Sequence, residues 1–388
     1  MLGKTKETKA EKLSLIEQFE ELPDPRIDRT KKHKLIDIIF ITICAAICGA
    51  EGWTDVEEFG KTKQAWLKQF VELKNGIPSH DTIGRVFGLL EPEAFEKGFV
   101  NWVQSIAGLK LDDHIAIDGK TLRHSYDRYH EKAALHLVSA WAKGSGLVLG
   151  QTAVDSKSNE ITAIPKLLEM LAVEGCLISI DAMGCQTEIA QQIIDQKADY
   201  LLAVKGNQKY LAQDLQEIFD LEFSQPQPFV DIEHDFAQTI QKSHGRIETR
   251  QCWTISEPDF IHYIRNYQAW PALQTIVLVR AKRQTQAGLS IEDRYYISSL
   301  PVSAKPILDA TRSHWGIENS LHWVLDVVFR EDDARMRQGH MAHNFALVRH
   351  IALNLLRHEI SAKKSIRAKR LKAAWNDDYL LDVLSSLS

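Results

Sequence analysis

Two aspartates stand at the ends of short apolar runs: Asp118 closes IAID before Gly119, and Asp181 closes ISID before Ala182. In an open α/β sheet, the carboxyl ends of the strands are where reacting groups collect. Their separation of 63 positions leaves room for a hairpin and a crossover helix that returns the second run beside the first. Two carboxylates brought that close repel, and one pKa rises unless a divalent cation neutralises them. A third carboxylate from a helix on the same edge would complete an oxygen-rich site suited to Mg²⁺ or Mn²⁺. Two such ions about 3.5–4 Å apart activate a water or hydroxyl and stabilise the leaving oxygen of a phosphodiester. Taken singly, a strand-end aspartate is better explained as a turn former or helix N-cap.

A source for the third carboxylate lies in HWGIENSLHWVLDVVFRED, residues 314–332. Ile317, Leu321, Val324 and Val328 recur at helical spacing and predict one amphipathic helix across the stretch. Glu318 sits at the border of that stripe, where a carboxylate is costly to hold unless water or a cation reaches it. As a plain surface residue it would be favoured near a helix start by the helix dipole. Asp326 projects about 80° further round, on a solvated flank. His314 and His322 flank Glu318 and could orient a substrate or pair with Asp326, four residues past His322. Other constellations are weaker. Gly119-Lys120-Thr121 resembles the tail of a phosphate-binding loop, but His114 stands where its first glycine belongs. His340 and His343 are three apart, lack acidic or cysteine partners at ligand spacing, and read as a partly exposed helix start.

A chain of 388 residues can form two or three domains to position these groups. Its 44% hydrophobic and 26% charged residues are those of a soluble globular protein. The longest apolar run, 35–50, contains Asp37 and is too short to span a bilayer, so a buried helix is expected and no membrane partner. Its place behind a polar lead, with no small-residue cleavage pattern, argues against a signal anchor. Five cysteines without CxxC spacing suit a reducing cytosol and provide no zinc cluster. The net charge of −5 does not advertise nucleic-acid binding, yet basic residues cluster at 26–34 and 357–372. Each cluster is either a phosphate-contacting patch or a solvated face.

Residues 1–110 read as an N-terminal all-helical domain. Within it, Ser79 or Asp81 caps a helix after a Gly-Ile-Pro turn, which fits a helix-turn-helix DNA reader or a packing scaffold. From 111 to 222 the pattern turns to strands at 114–118, 135–142, 146–154, 177–181 and 199–205, with helices after the third, fourth and fifth. That order predicts an α/β fold with a mixed sheet. Residues 223–302 read as a mostly β insertion, with strands near 239–240, 251–255, 276–279 and 294–297. Residues 303–388 return to helices and end in the basic tail.

Together these residues resemble insertion-sequence transposases of the DDE type, in the family that includes the H-repeat-associated proteins of Rhs elements. The matching blocks include DPR…KHKLIDI (24–38), CGAEGW (48–53), NGIPSHDT (75–82), AIDGKTLR (116–123) and SKSNEI (156–161). They continue with IDAMGCQ (180–186), DYLLAVKGNQ (199–208), HGRIE (244–248) and the stretch 314–332. The resemblance implies a ribonuclease-H-like catalytic domain whose metal-binding triad is Asp118, Asp181 and Glu318. It also accounts for the separation of 137 positions from Asp181 to Glu318, since related transposases carry a β insertion there. Broader relatives place Tyr, Arg and Lys seven and four before and seven after the glutamate; here those positions hold Thr311, His314 and Leu325. DNA-end contacts of the wider group are therefore not carried over.

The expected function is metal-dependent cleavage of DNA at element ends followed by strand transfer, with two divalent cations at the triad. The expected partners are element-end and target DNA, with a homodimer in the DNA complex, in the bacterial cytoplasm at the nucleoid. Lys120, Arg123 and Lys205, each just past an expected strand end, are candidates for phosphate contact. Two rival readings are a non-catalytic DNA-binding remnant and a nuclease without strand transfer.

Overall fold

In the computed structural model, residues 14–108, 113–126, 133–154, 159–243 and 245–387 are described. The first thirteen residues of the polar lead, residues 156–158 of SKSNEI and His244 of HGRIE lie outside them. The chain opens with helices α1 (Ser14–Glu20), α2 (Leu35–Cys48), α3 (Trp53–Thr62), α4 (Gln64–Leu67), α5 (His80–Leu89) and α6 (Pro92–Ala107). Helix α2 is apolar nearly all round and is buried all round, as that pattern requires. It stops at Gly49, whose φ of 116° is a left-handed C-cap that suits glycine. No single helix among the described residues is long and apolar enough to cross a membrane.

The first five strands are β1 (His114–Thr121), β2 (His136–Ala142), β3 (Leu147–Ala153), β4 (Leu177–Ile180) and β5 (Asp199–Val204). Helices α7 (Glu160–Met170), α8 (Thr187–Asp195) and α9 (Lys209–Ser224) follow β3, β4 and β5. Then come β6 (His234–Ser243), β7 (Arg246–Ile255), α10 (Pro258–Tyr263), β8 (Thr275–Thr285) and β9 (Gly288–Ser298). All nine strands among the described residues form one sheet in the order β3-β2-β1-β4-β5-β9-β8-β7-β6. Strands β1, β4 and β5 are parallel; the other pairings are antiparallel. The region expected as an inserted β unit is therefore a continuation of the same sheet, joined where β9 pairs with β5. Its strands run ten or eleven residues, far beyond the short apolar cores visible in the sequence.

Side chains alternate across the sheet. Leu177, Leu201, Cys252, Val277 and Tyr296 pack on one face with Ala304, Ile307 and Leu308 of α11 (Ala304–Ile317). Ile178, Ile180 and Leu202 belong to the larger core, with Ile164 of α7 and Ile189 of α8. Helix α11 starts over the outer strands, where Asp235 of β6 accepts the Ala304 N–H at 2.8 Å, a carboxylate at a helix N-terminus. It ends over β1 and β4. The long separation between Asp181 and Glu318 thus builds a platform that aims this helix.

The chain closes with α12 (Trp323–Val327), α13 (Met341–His358), α14 (Ile366–Trp375) and α15 (Asp377–Leu384). Helix α13 is buried along fourteen of its eighteen residues and packs on α2, α5 and α6. Its Asn354 donates to the Val148 carbonyl and accepts the Val148 N–H, both at 2.9 Å, satisfying backbone groups on the sheet's edge strand β3. The expected basic tail is corrected in part. Arg357, Lys369 and Arg370 turn inward and donate to backbone carbonyls, while Lys363, Lys364, Arg367 and Lys372 are exposed.

Candidate active site at the β1–β4 edge

The register Ile117↔Ile180 between parallel β1 and β4 places Asp118 and Asp181 side by side, one residue further along each strand direction. The same alternation puts His114, Ala116 and Asp118 on the face under α11, with Leu177, Ser179 and Asp181. Ser179 Oγ lies 2.7 Å from His114 Nε2 and 2.9 Å from His314 Nδ1, tying both strands to the helix end. Burial pushes the His314 pKa down to about 4 and that of His114 to about 3, so both rings are neutral near pH 7.

Beyond Ile317 the helix expected to run straight through 314–332 does not. Residues Glu318–His322 form a π-helical turn, α12 follows, and the helix ends at Val327. A π-turn inserts one residue into an α-helix and is common at functional sites. Glu318 is exposed and His322 buried, with His322 Nδ1 at 3.1 Å from Glu318 Oε2 and 3.6 Å from Asp118 Oδ2. One ligand atom from each of Asp118, Glu318 and His322 lies within 4.8 Å of the other two. Asp118 Oδ1 accepts the Gly119 N–H at 2.9 Å. Burial raises the Asp118 pKa to about 6; His322 and the Gly119 N–H pull it down, and Glu160 and Asp181 push it up.

The expected triad thus meets in one place, with a difference in detail. Asp181 lines the same cavity of about 550 Å³ as Asp118 and Glu318, but Asp181 Oδ1 caps the short helix Ala182–Gly184 by accepting the Met183 N–H at 2.7 Å. Lys205, at the end of β5, is exposed and lines this cavity too. Lys120 does not. Strand β1 continues past Asp118 to Thr121, so the alternation that aims Asp118 at Glu318 aims Lys120 at α12. Its ammonium contacts Asp326 and, at 2.7 Å, Glu331. Burial works against the Lys120 charge, but these carboxylates outweigh it and raise its pKa. Asp326, expected on a solvated flank, is half-buried in this pairing. Arg123 is exposed and pairs with Asp332 at 3.3 Å. His343, read as part of an exposed helix start, is buried against Glu96 at 2.5 Å.

One site residue escaped the sequence reading, and the role of a second, His322, was left open by it. Glu160, at the start of α7, pairs with His136 at 2.8 Å. It sits so close to Gly119 that a Cβ there would meet Glu160 Oε1 at 2.1 Å, so a side chain at this position of AIDGKTLR would have to displace the Glu160–His136 pair. The four-residue spacing to Glu318 was the only sign that His322 completes the cluster, and it fitted a pairing with Asp326 equally well.

Residues 16–103 match the family described as DDE_Tnp_1-associated, and residues 109–355 match the Transposase DDE domain. The H repeat-associated protein YhhI of Escherichia coli K12 is 44% identical over 376 residues, covering 96% of this chain and 97% of that protein. YncI of Escherichia coli O157:H7 is 43% identical over 376 residues, covering 97% and 95%. Among solved structures, a piggyBac transposase synaptic complex with hairpin DNA aligns to 97% of this chain and 76% of its own, at 11% identity and a TM-score of 0.39, too remote to carry an inference. Both family domains in order, and a shared identity above two-fifths along nearly the full length, establish that the chain belongs to the DDE transposases, in the group of the H-repeat-associated proteins.

Proposed function

We propose that this transposase cuts DNA strands at insertion-sequence ends and transfers the freed 3′ ends into target DNA, with two divalent cations held by Asp118, Asp181 and Glu318. The observation that carries this reading is the meeting of Glu318 with Asp118 beside Asp181, at the carboxyl edge of two adjacent parallel strands. A half-buried carboxyl with its pKa raised to about 6 amid other carboxylates is a group that cation binding would relieve. Carboxylate oxygens suit Mg²⁺ or Mn²⁺, which when bound supply activation of the attacking oxygen and stabilisation of the leaving one. Imidazole is not a favoured ligand of Mg²⁺, so the role assigned to His322 is to orient Glu318 through Nδ1, with the same nitrogen 3.6 Å from Asp118. Lys205, facing the same cavity, is the phosphate contact.

The β3-β2-β1-β4-β5 order, with β2 the only antiparallel member of its centre, supports a ribonuclease-H-like assignment of this part of the sheet. The N-terminal helices are assigned to DNA contact, with Arg85 of α5 sharing a groove with Arg335 and Arg337. Pairing two element ends would require a homodimer on double-stranded DNA, acting in the cytoplasm at the nucleoid. The test replaces Asp118, Asp181 and Glu318 singly with Asn, Asn and Gln and follows nicking and joining of labelled element-end duplex with Mg²⁺. Each variant should lose both products. Wild-type cleavage by any one removes that residue from the triad, and nicking without joined product in the wild type leaves a nuclease only.

A further inference from the structure

The block HGRIE has no part in the chemistry above. Its Arg246 and Glu248 share one face of β7 with Arg250, and the register sets Arg283 of β8 opposite Glu248. Arg250 Nη2, Arg283 Nε and Arg246 Nε lie 2.7, 3.0 and 3.3 Å from the Glu248 carboxylate. Three guanidiniums therefore share one anion. Burial opposes the Glu248 charge, but the three arginines prevail and hold its pKa below the usual value. Glu248 is only 13% exposed, whereas Arg246 and Arg283 are 45% and 55% exposed, so the carboxylate holds the forks upright from below.

The positive face runs on toward the catalytic edge. Arg294 of β9 stacks 4.3 Å over Trp315 and pairs with Glu292 at 2.8 Å. Arg312 of α11 has no ion pair or hydrogen bond to its side chain among the described residues. All five arginines line one groove of about 390 Å³, whose inner end is Gly316, Glu318 and Asn319. The reverse face of the same strands exposes Ile240, Ile247, Leu289 and Ile291 among Lys242, Lys282 and the Arg280–Asp293 pair, whereas the groove face gathers three of its arginines around a single shared carboxylate. Within a chain of net charge −5, this places a cationic groove directly against a cluster of catalytic carboxylates that would by itself repel a phosphodiester.

We propose that this arginine face of β7–β9 and α11 binds the phosphate backbone of duplex DNA and holds it where one strand reaches Asp118 and Glu318. The occupant follows from charge and shape: planar guanidinium forks on a rigid sheet match phosphate oxygens bidentately. The proposal rests on the DNA-processing reading of the site. Its test is the salt dependence of binding of the full chain to a fluorescent mixed-sequence duplex in EDTA, where no cleavage intrudes. Removing one arginine–phosphate pair should flatten the slope of log K against log salt by about 0.9. Arg312→Gln should show about one such step and the double variant Arg246→Gln/Arg283→Gln about two, with Kd up roughly tenfold. Glu248→Gln, which frees the forks from their internal anion, should tighten binding instead. Nicking by the double variant should recover at low salt, which a merely structural defect would not do. Wild-type slopes and Kd in both arginine variants overturn the arginine face and leave the active-site reading standing. A wild-type chain that fails to bind duplex at low salt overturns the DNA reading itself, and this proposal with it.

Discussion

Replacing Asp118 by Asn should stabilise the metal-free chain at neutral pH while abolishing strand cleavage. Burial raises the Asp118 pKa to about 6; the pull of His322 and the Gly119 N–H outweighs the repulsion from Glu160 and Asp181 but does not cancel the cost of burial. A folded-state pKa above the usual 3.8 means that the folded chain binds this proton more tightly than the unfolded chain does. The resulting stabilisation is complete below about pH 3.8 and is lost as pH rises through about 6. At pH 8 the ionised carboxylate therefore costs roughly 3 kcal/mol, at about 1.4 kcal/mol per pH unit between the two values. Asparagine keeps the shape and an acceptor for the Gly119 N–H but sheds the charge. With an unfolding entropy of about 2 cal/mol/K per residue, 388 residues melting as one unit convert that energy into a Tm gain of roughly 3–4 °C. Thermal melts in EDTA at pH 8 would read it, and the gap should shrink as pH is lowered from 7 toward 4. Added Mg²⁺ should raise the wild-type Tm and leave the variant nearly unmoved. A variant that melts at or below the wild type at pH 8, or a gap that widens as pH falls, would refute the reasoning.

Lys120→Met should destabilise without acting on DNA directly. Glu331, 2% exposed, would keep only Arg349 at 3.5 Å as an ion-pair partner, a loss of about 3–5 kcal/mol and roughly 4–6 °C in Tm. An unchanged Tm with weakened duplex binding would return Lys120 to the phosphate contacts. His322→Gln should fold normally but need about 10–100-fold more Mg²⁺ for half-maximal nicking, because Glu318 loses its ring partner at 3.1 Å and Asp118 the imidazole beside it. An unchanged Mg²⁺ midpoint would reduce His322 to a packing residue.

Strand ends were legible because an acidic residue closing an apolar run is a local signal, and both such runs lie in the centre of the sheet. The outer strands were legible only in part. Where β7, β8 and β9 leave the core, neither face is covered; arginines alternate with isoleucine, leucine and polar residues, and no apolar run marks the strand. The β5–β9 pairing that makes them one sheet leaves no trace in composition. Charge was the least legible property. Lys120 looked like a free cation beside Asp118, yet its partners lie 206 and 211 residues away in sequence. Arg357 looked like part of a basic tail, but it stacks 4.2 Å over Trp141, and burial drives its pKa down to about 10. Partner identity at such separations is set by tertiary packing, which spacing along the chain does not encode.

The π-turn explains why the helix that carries Glu318 was read in the wrong phase. At about 100° per residue, Ile317, Leu321, Val324 and Val328 form one stripe of a continuous α-helix, and Asp326 falls about 80° from Glu318. One residue absorbed by the turn sets everything beyond it back by about 100°, which brings Leu325 and Phe329 into line with Ile317. Burial agrees with the shifted phase: Leu325 and Phe329 are 2% and 1% exposed, while Val324 is 8% exposed and Val328 only partly buried. The shift also moves Asp326 from about 80° on one side of Glu318 to about 20° on the other, the side of β1, where it meets Lys120. The apolar pattern could not reveal this, because Val324, Leu325, Val328 and Phe329 supply a stripe in either phase. Hydrophobic redundancy around the turn lets one sequence satisfy the core on both sides of it. The turn itself is then free to present Glu318 to the cavity while His322 reaches inward beside Asp118.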